Sequence, residues 1–77
     1  MQIQVYAILK EHFEKEFTLQ ESFKDINALK NFLISNNPEA KNLLAISRFA
    51  VDNEFVENDY CLNDHDSVSI MPPSSGG

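Results

Sequence analysis

The chain opens with an alternation of polar and apolar residues. Over residues 2–10, Ile3, Val5 and Leu9 fall on one side at a period of two. This alternation is typical of a β-strand with one buried face. The sequence therefore predicts a first strand over residues 2–10, followed by a charged turn and a shorter strand at residues 17–19 that pairs with the first as a hairpin.

A helical spacing of apolar residues comes next. Its members are Phe23, Ile26, Leu29, Phe32 and Leu33. Ser22 followed three residues later by Asp25 resembles a capping box, and Pro38 stops the pattern. We predict a main helix over 25–36 and a second, short helix over 38–44 with Leu43 and Leu44 pointing inward.

The rest of the chain returns to strand periodicity. Three more strands are predicted, around Phe49 and Val51, over residues 54–56, and around Val68 and Ile70. Asp52 and Asn53 suit a tight turn because both tolerate positive φ, and Pro72 ends the last strand. Strands on both sides of one main helix favour an α+β fold, with the helix across one face of a sheet.

Composition limits the chain to one small domain. Its 77 residues are 43% hydrophobic and 10% aromatic, which suffices for a folded core and leaves little room for a large catalytic cleft. A single cysteine, Cys61, makes no internal disulfide, and we expect it to be a small core residue. With no signal peptide and no membrane-length apolar run, we expect a cytoplasmic protein.

Charge is concentrated toward one end. The net charge is −6, which argues against nucleic acid or an anionic membrane as the main partner. Residues 1–51 hold six acids and six bases, so the whole excess comes from the acids Asp52, Glu54, Glu57, Asp59, Asp64 and Asp66. This acidic block predicts a basic protein partner; the alternative is a solvated edge that keeps the protein soluble.

Conventional catalytic candidates are few. His12 and His65 stand far apart in the sequence, each in a predicted turn. No Cys and His set has the spacing of a zinc site, so we expect no bound metal. Residues 64–66 form an Asp-His-Asp trio that we interpret as a solvated turn rather than a ligand set. Cys61 as a nucleophile is the less favoured alternative to a core cysteine.

The glycines are the most informative feature. The chain has two, Gly76 and Gly77, directly behind Pro72, Pro73, Ser74 and Ser75. A terminal Gly-Gly carries no side chains, so a narrow channel admits it, and the prolines stiffen a stalk of about 15 to 20 Å if it is extended. The alternative is a flexible linker or an expression remnant.

The chemistry of such a tail belongs to its terminal carboxylate. A carboxylate at neutral pH is a poor acceptor for nucleophiles, so its use as an acyl group requires ATP-driven adenylation, with AMP as the leaving group. A sulfur nucleophile would then produce a thiocarboxylate whose sulfur is transferred onward; alternatively, the activated carbon is transferred to an amine.

Three segments carry a family resemblance. They read Phe-Ala-Val-Asp-Asn-Glu at 49–54, Leu-Asn-Asp-His-Asp-Ser-Val at 62–68 and Met-Pro-Pro-Ser-Ser-Gly-Gly at 71–77. Together they resemble the small, sulfur-carrier subunit of molybdopterin synthase over essentially the full chain. The resemblance implies a ubiquitin-like β-grasp fold, with a mixed sheet of about five strands on one main helix. A β-grasp domain at 1–71 would carry an extended tail at 72–77.

The resemblance also implies a function for the tail. Gly77 becomes a glycyl adenylate and then a 1-thioglycine, while Gly76, Ser75, Ser74, Pro73 and Pro72 lead it into the partner's active site. The implied partners are a ubiquitin-activating-type adenylating enzyme that consumes ATP, a sulfur donor protein and the large synthase subunit. Two small and two large subunits form the family's heterotetramer, and the large subunit supplies the catalytic side chains. Sulfur passes to cyclic pyranopterin monophosphate, and no cofactor is bound by the small subunit.

Three other functions compete with this one. The same activation chemistry serves sulfur carriers for thiamin or another pathway, and it serves ubiquitin-like modifiers that join protein lysines. A β-grasp binding module with an inert tail is the alternative from a different class.

Two turns depart from the family pattern. Residues 64–66 read Asp-His-Asp where Asp-Gly-Asp is common, and Asp52-Asn53 replaces Asn-Gly or Asn-Gln. We expect His65 and Asn53 to substitute for glycine because both residue types tolerate positive φ.

Strand parity predicts a docking patch. If Ile3 and Val5 face the helix, then Tyr6 and Ile8 face away, and so do Met71 and either Phe55 or Val56. We predict a partner interface at Ile8, Phe55 and Met71, near the start of the tail and rimmed by the acidic block. The alternative is a set of scattered surface apolar residues.

Overall fold

The computed structural model describes residues 1–73, which form five strands and two α-helices. The strands are β1 (Gln2–Val5), β2 (Glu16–Thr18), β3 (Arg48–Val51), β4 (Glu54–Val56) and β5 (Ser67–Met71). The helices are α1 (Ile26–Asn36) and α2 (Lys41–Ile46), and short 3₁₀ helices cover Ala7–Glu11 and Pro38–Ala40. This order confirms the predicted α+β class.

The strands form one mixed sheet in the order β2-β1-β5-β3-β4. β1 and β5 are parallel, with Ile3 beside Val68, and the other neighbouring pairs are antiparallel. The last strand in sequence is therefore the middle strand in space. Together with a main helix packed against one sheet face, this arrangement confirms the predicted β-grasp fold.

The core lies between α1 and one face of the sheet. Its fully buried large side chains are Ile3, Val5, Leu9, Ile26, Leu29, Leu33, Leu44, Val68 and Ile70. Alternate residues of β1, β5 and β3 point into this cluster because side chains alternate across a strand. Burial of each such Leu, Ile or Val contributes about 1.5 to 3 kcal/mol, which makes this layer the main source of stability.

The first strand is shorter than predicted. It ends at Val5, and residues 7–11 form a 3₁₀ helix that still buries Leu9. The cause is the loss of a partner, since β5 ends before Pro72, which has no N–H for a ladder hydrogen bond. The backbone of this segment bonds locally instead, as in Leu9 N to the Tyr6 carbonyl at 3.2 Å. Ala7 makes the bend with a φ of 55°.

Two further boundaries differ from the prediction. β2 begins one residue earlier than expected, at Glu16, and ends at Thr18, which pairs with Gln2. The second helix is split into a 3₁₀ turn at Pro38–Ala40 and α2, which continues to Ile46. Leu44 is buried as predicted, whereas Leu43 is only half-buried.

The start of α1 is capped by Asp25 itself. Its carboxylate oxygen accepts from Ala28 N at 2.9 Å, in the position of an N-cap. The predicted capping box is wrong, because Ser22 instead donates its hydroxyl to Asp64 Oδ1 at 2.8 Å. The first two donors of the helix are satisfied by the segment before β5: Ile26 N donates to the Tyr60 carbonyl and Asn27 N to that of residue 58.

The two unusual turns are built differently from one another. Asp52 and Asn53 have φ values of 52° and 71°, which confirms the predicted tight turn between β3 and β4. His65 is not among the non-glycine residues with positive φ in the part of the chain that is described. The Asn63 and Asp66 backbones close that turn with a 3.1 Å hydrogen bond, so no glycine-like residue is required there.

The predicted division between domain and tail falls at the end of β5. Met71 is the last strand residue, and Pro72 and Pro73 follow it. Residues 74–77 lie outside the described range, so the extended tail remains a prediction. Within residues 1–73, none of the helices has the length and apolar character needed to cross a membrane.

The cap of α1 gives a stability prediction. Asp25→Ala should lower the free energy of unfolding by about 1 kcal/mol, because Ala28 N loses its side-chain acceptor at a helix end. Urea unfolding followed by circular dichroism measures the change. Ser22→Ala is the control, since its hydrogen bond is exposed and outside the helix, and we expect a smaller loss. Equal losses in the two variants would contradict the assignment of Asp25 as the cap.

Candidate functional site at the open sheet face

The candidate site begins where β5 ends. β5 is paired on both sides, with β1 and with β3, so its carboxyl end is held in place by two ladders. Pro72 and Pro73 continue from it without strand pairing. The predicted reactive residue Gly77, together with Gly76, Ser75 and Ser74, lies outside the described residues. The structure thus defines the root of the tail and its surroundings.

Within residues 1–73, one sheet face carries no helix. We call it the open face, and its strand residues are Gln2, Gln4, Glu16, Thr18, Arg48, Ala50, Phe55, Ser67, Ser69 and Met71. Their neighbours one residue along each strand lie on the other face, where most of them belong to the core or pack against it, and this alternation fixes the set. Most of these side chains are small or polar, so the few apolar ones stand out.

Three large side chains form the apolar part of this region. Phe55 on β4 is 51% exposed, Tyr6 just after β1 is 39% exposed, and Met71 is partly exposed. Tyr6 N bonds the Ile70 carbonyl at 3.2 Å, which extends the parallel ladder and sets Tyr6 alongside Met71. We call Tyr6, Met71, Arg48 and Phe55 the tail-root patch. Of the predicted pair, Phe55 faces away from the core and Val56 packs against it.

Ile8 does not lie on the sheet. It is 51% exposed, but it belongs to the 3₁₀ helix that replaces the end of the predicted first strand. The parity argument that placed it on the open face is therefore wrong. Of the three predicted interface residues, Phe55 and Met71 share one face, and Ile8 lies beyond the end of β1, in the 3₁₀ helix that follows Tyr6.

Sequence reasoning missed Arg48. It pairs across the sheet with Met71, and its guanidinium carbon lies 3.7 Å from the centre of the Phe55 ring. This residue therefore bridges the two predicted patch residues on β5 and β4. A signal was present in the sequence, since Lys10 and Arg48 are the two bases that fall in predicted strands.

A cavity lies beside the same strand. Its volume is about 180 Å³, and Lys30, Arg48, Phe49 and Asn58 contribute to its lining. Lys30 Nζ lies 5.2 Å from the Phe49 ring centre and 3.0 Å from the Asn58 side-chain oxygen. Lys30 is thus held by an uncharged ring and an amide.

The acidic block is less uniform than predicted. Asp66 is only 9% exposed, and its carboxylate accepts from Asn63 N at 2.8 Å. Asp64 accepts from Ser22. These two acids shape the turn before β5, although Asp64 is itself exposed. The other four acids are exposed as well: Asp52, Glu54, Glu57 and Asp59. The predicted rim therefore reduces to the β3–β4 turn and the segment after β4.

Cys61 is exposed, so its prediction as a core residue is wrong. The backbone of residue 61 pairs with that of Asp25, and Leu62 N bonds the Lys24 carbonyl at 3.0 Å. This pairing turns Leu62 into the core and Cys61 outward, because neighbouring side chains on an extended segment alternate. His12 is half-buried and His65 exposed. Among residues 1–73, no three His, Cys, Asp or Glu side chains gather as a metal site.

A family model matches the chain along almost all of its length. The model is that of the ThiS family, and it covers residues 3–77. The chain belongs to the ThiS family. It is therefore a ubiquitin-like sulfur carrier of the ThiS type, and the match extends through both terminal glycines.

Solved structures share the fold of this ThiS-family chain. SAMP1 from Haloferax volcanii aligns with a TM-score of 0.80 at 14% identity, over 99% of this chain and 97% of that one. A chain from the complex of subunits 1 and 2 of the molybdopterin-converting factor of Helicobacter pylori has a TM-score of 0.71 and 21% identity, over 99% and 96%. Urm1 from Trypanosoma brucei has a TM-score of 0.76 and 22% identity, over 99% and 93%. No curated protein matches the chain in sequence.

The position of Cys61 gives a direct chemical prediction. A colorimetric thiol reagent should modify it in the native ThiS-family protein without denaturant, because the side chain is exposed. The same reaction in urea supplies the rate for a fully accessible thiol. A native rate that is about a thousandfold slower or more, as expected for a thiol that reacts only on global unfolding, would contradict the exposed position.

Proposed function

We propose that this chain is the small, sulfur-carrying subunit of a molybdopterin synthase. The observation that carries the proposal is the sequence Pro-Pro-x-x-Gly-Gly at 72–77, directly after the middle strand of a ThiS-family β-grasp domain. A bare terminal Gly-Gly is common to many ubiquitin-like proteins. The two prolines after the last strand are the more specific part of the motif.

The reaction begins at the carboxylate of Gly77. Its oxygen attacks the α-phosphate of ATP in the adenylating enzyme, which releases pyrophosphate and leaves the glycyl adenylate. Sulfur at the oxidation level of hydrosulfide, supplied by a donor protein, attacks the acyl carbon and expels AMP. The product is the 1-thioglycine, whose sulfur is a stronger nucleophile toward carbon than the original carboxylate oxygen.

Sulfur transfer then takes place in the large subunit. The thiocarboxylate sulfur attacks a carbon of cyclic pyranopterin monophosphate and displaces an oxygen substituent from it, which gives a thioester between carrier and pterin. Water then cleaves the acyl–sulfur bond of this thioester, so that the sulfur stays on the pterin and Gly77 regains its carboxylate. A dithiolene contains two sulfur atoms, so each product consumes two charged carriers. The residues that lead Gly77 into the active site of the large subunit are Pro72, Pro73, Ser74, Ser75 and Gly76.

The folded domain acts in this scheme as a binding and positioning unit. The catalytic side chains come from the large subunit, ATP is bound by the adenylating enzyme, and the carrier itself binds no cofactor. The reactions take place in the cytoplasm, between proteins that each recognise the same small domain. Its 77 residues suit this role, because a domain of this size has little interior to spare for a cleft of its own.

Docking involves the tail-root patch. Phe55 and Met71 offer apolar area beside the tail, and the exposed acids Asp52 and Glu57 lie on either side of β4, which carries Phe55. An apolar centre with a charged margin is the usual composition of a protein interface. The subunit complex from Helicobacter pylori supports a large subunit as the partner of this chain as well.

A second candidate changes only the acceptor. The ThiS-family match specifies the carrier class without specifying the recipient of the sulfur or acyl group. The alternatives are a sulfur carrier for thiamin or another pathway and a modifier whose Gly77 joins lysines of other proteins. The domain, the tail and the adenylation step would be the same in each.

Reconstitution tests the proposal. Thiocarboxylated protein, incubated with a large synthase subunit and cyclic pyranopterin monophosphate, should yield the dithiolene product while the carrier returns to its carboxylate form. Mass spectrometry of the C-terminal peptide follows the exchange of sulfur for oxygen. A variant without Gly76 and Gly77 is the control and should be inactive. An active, matched large subunit that forms no product would refute the pathway, and branched Gly-Gly on other proteins would indicate the modifier.

The docking surface gives a second prediction. Met71→Asp should weaken binding to the large subunit about tenfold or more, because a charge replaces apolar contact beside the tail. The matched control is Ile46→Asp, which places the same change at a residue of α2 that is 62% exposed and outside the open face. Titration calorimetry measures both affinities, and circular dichroism verifies folding. Equal affinities for the two variants would exclude the patch as the interface.

A further inference from the structure

Arg48 differs in position from the other basic residues of the chain. The six bases are Lys10, Lys15, Lys24, Lys30, Lys41 and Arg48. Arg48 is the only one of them that lies in any of the five strands of residues 1–73, and it lies on the open face. Its cross-strand partner is Met71, the last residue of β5 before the tail. A single fixed cation therefore stands next to the tail root.

The stack on Phe55 determines how this cation is presented. The guanidinium carbon is 3.7 Å from the ring centre, so one planar face of the group is covered by the ring. The N–H donors of a guanidinium lie in its plane and point outward from the edge. Stacking thus leaves the edge donors available and restricts the rotation of a side chain that is otherwise flexible. The paired N–H donors of the guanidinium then form a rigid fork, which matches the two oxygens of a carboxylate.

The exposed acids near Arg48 restrict which partner surfaces its guanidinium can bind. Asp52, Glu54 and Glu57 follow Arg48 along the β3–β4 hairpin and are exposed. A partner surface that carries bases opposite these acids would also repel Arg48. The repulsion is avoided if the partner has an acid opposite Arg48. Like charges placed opposite each other disfavour wrong alignments, and this effect fixes the register of an interface.

We propose that Arg48 is a specificity residue that binds an Asp or Glu carboxylate of the partner beside the entry of the tail. This inference rests on the proposed function, because the partner is taken to be the large synthase subunit. The partner's surface is accordingly mixed: bases face the acidic hairpin, and one carboxylate faces the fork. The resulting bidentate contact sets the alignment in which the tail enters the active site.

Three variants of Arg48 test the contact. Arg48→Glu should weaken binding to the large subunit by about 30-fold or more, because a carboxylate would then face a carboxylate. Arg48→Met removes the charge and keeps apolar bulk. Arg48→Lys keeps the charge but loses the planar fork, and we expect about a tenfold loss. The matched control is Lys41→Glu, which makes the same charge change at the exposed first residue of α2.

Kinetics separate a bound carboxylate from simple steering. Loss of a direct contact raises the dissociation rate, whereas loss of a remote charge mainly lowers the association rate and its salt dependence. Surface plasmon resonance of each variant measures both rates. We expect faster dissociation for all three Arg48 variants and a change in association alone for Lys41→Glu. Arg48→Lys folds whether or not Arg48→Glu does, and its result alone decides between a fork and a point charge.

Several results would overturn the inference. They are binding of Arg48→Glu within threefold of Lys41→Glu, wild-type affinity in Arg48→Lys, or changes confined to the association rate. Failure of the wild-type protein to bind any large subunit is a different outcome, because it refutes the proposed pathway. In that case the same variants are tested with the adenylating enzyme by ATP–pyrophosphate exchange. An unchanged KM for the carrier would then refute the role of Arg48 as well.

Discussion

The pairing of the last strand at the centre of the sheet is the constraint on which the rest of the structure depends. β5 bonds to β1 on one side and β3 on the other, and its Val68 and Ile70 side chains fill the core under α1. The segment before β5 is also fixed in place, because its carbonyls accept hydrogen bonds from the first backbone N–H groups of α1. Helix start, core and tail root are therefore held by the same stretch of chain.

Much of this arrangement follows from local sequence signals. Period-two patterns located the strands, the spacing of Leu29 and Leu33 located α1, and Asp52-Asn53 located the turn between β3 and β4. The errors arose where the outcome depended on a distant neighbour. Alternation continues to Leu9, yet β1 stops because its partner strand stops at Met71.

The dependence on distant neighbours also explains which parts of the site could be predicted from the sequence. The terminal motif is a local property and could be read directly, whereas the grouping of Arg48 with Met71 and Phe55 is a property of register between three strands. Cys61 turned outward because its backbone pairs with Asp25, a contact across 36 residues that no local pattern contains. The chemistry of individual side chains was therefore easier to predict than which side chains lie next to one another.

The termination of β5 by Pro72 also has a mechanical consequence. A protein that seizes the tail pulls along the axis of the middle strand, and the hydrogen bonds of the β5 ladders lie across that axis. The load is then shared by both ladders in shear, whereas an edge strand pulled sideways would lose its bonds one at a time. A pull on the end of β5 is thus resisted by two ladders, which protects the fold better than a single ladder at an edge of the sheet would.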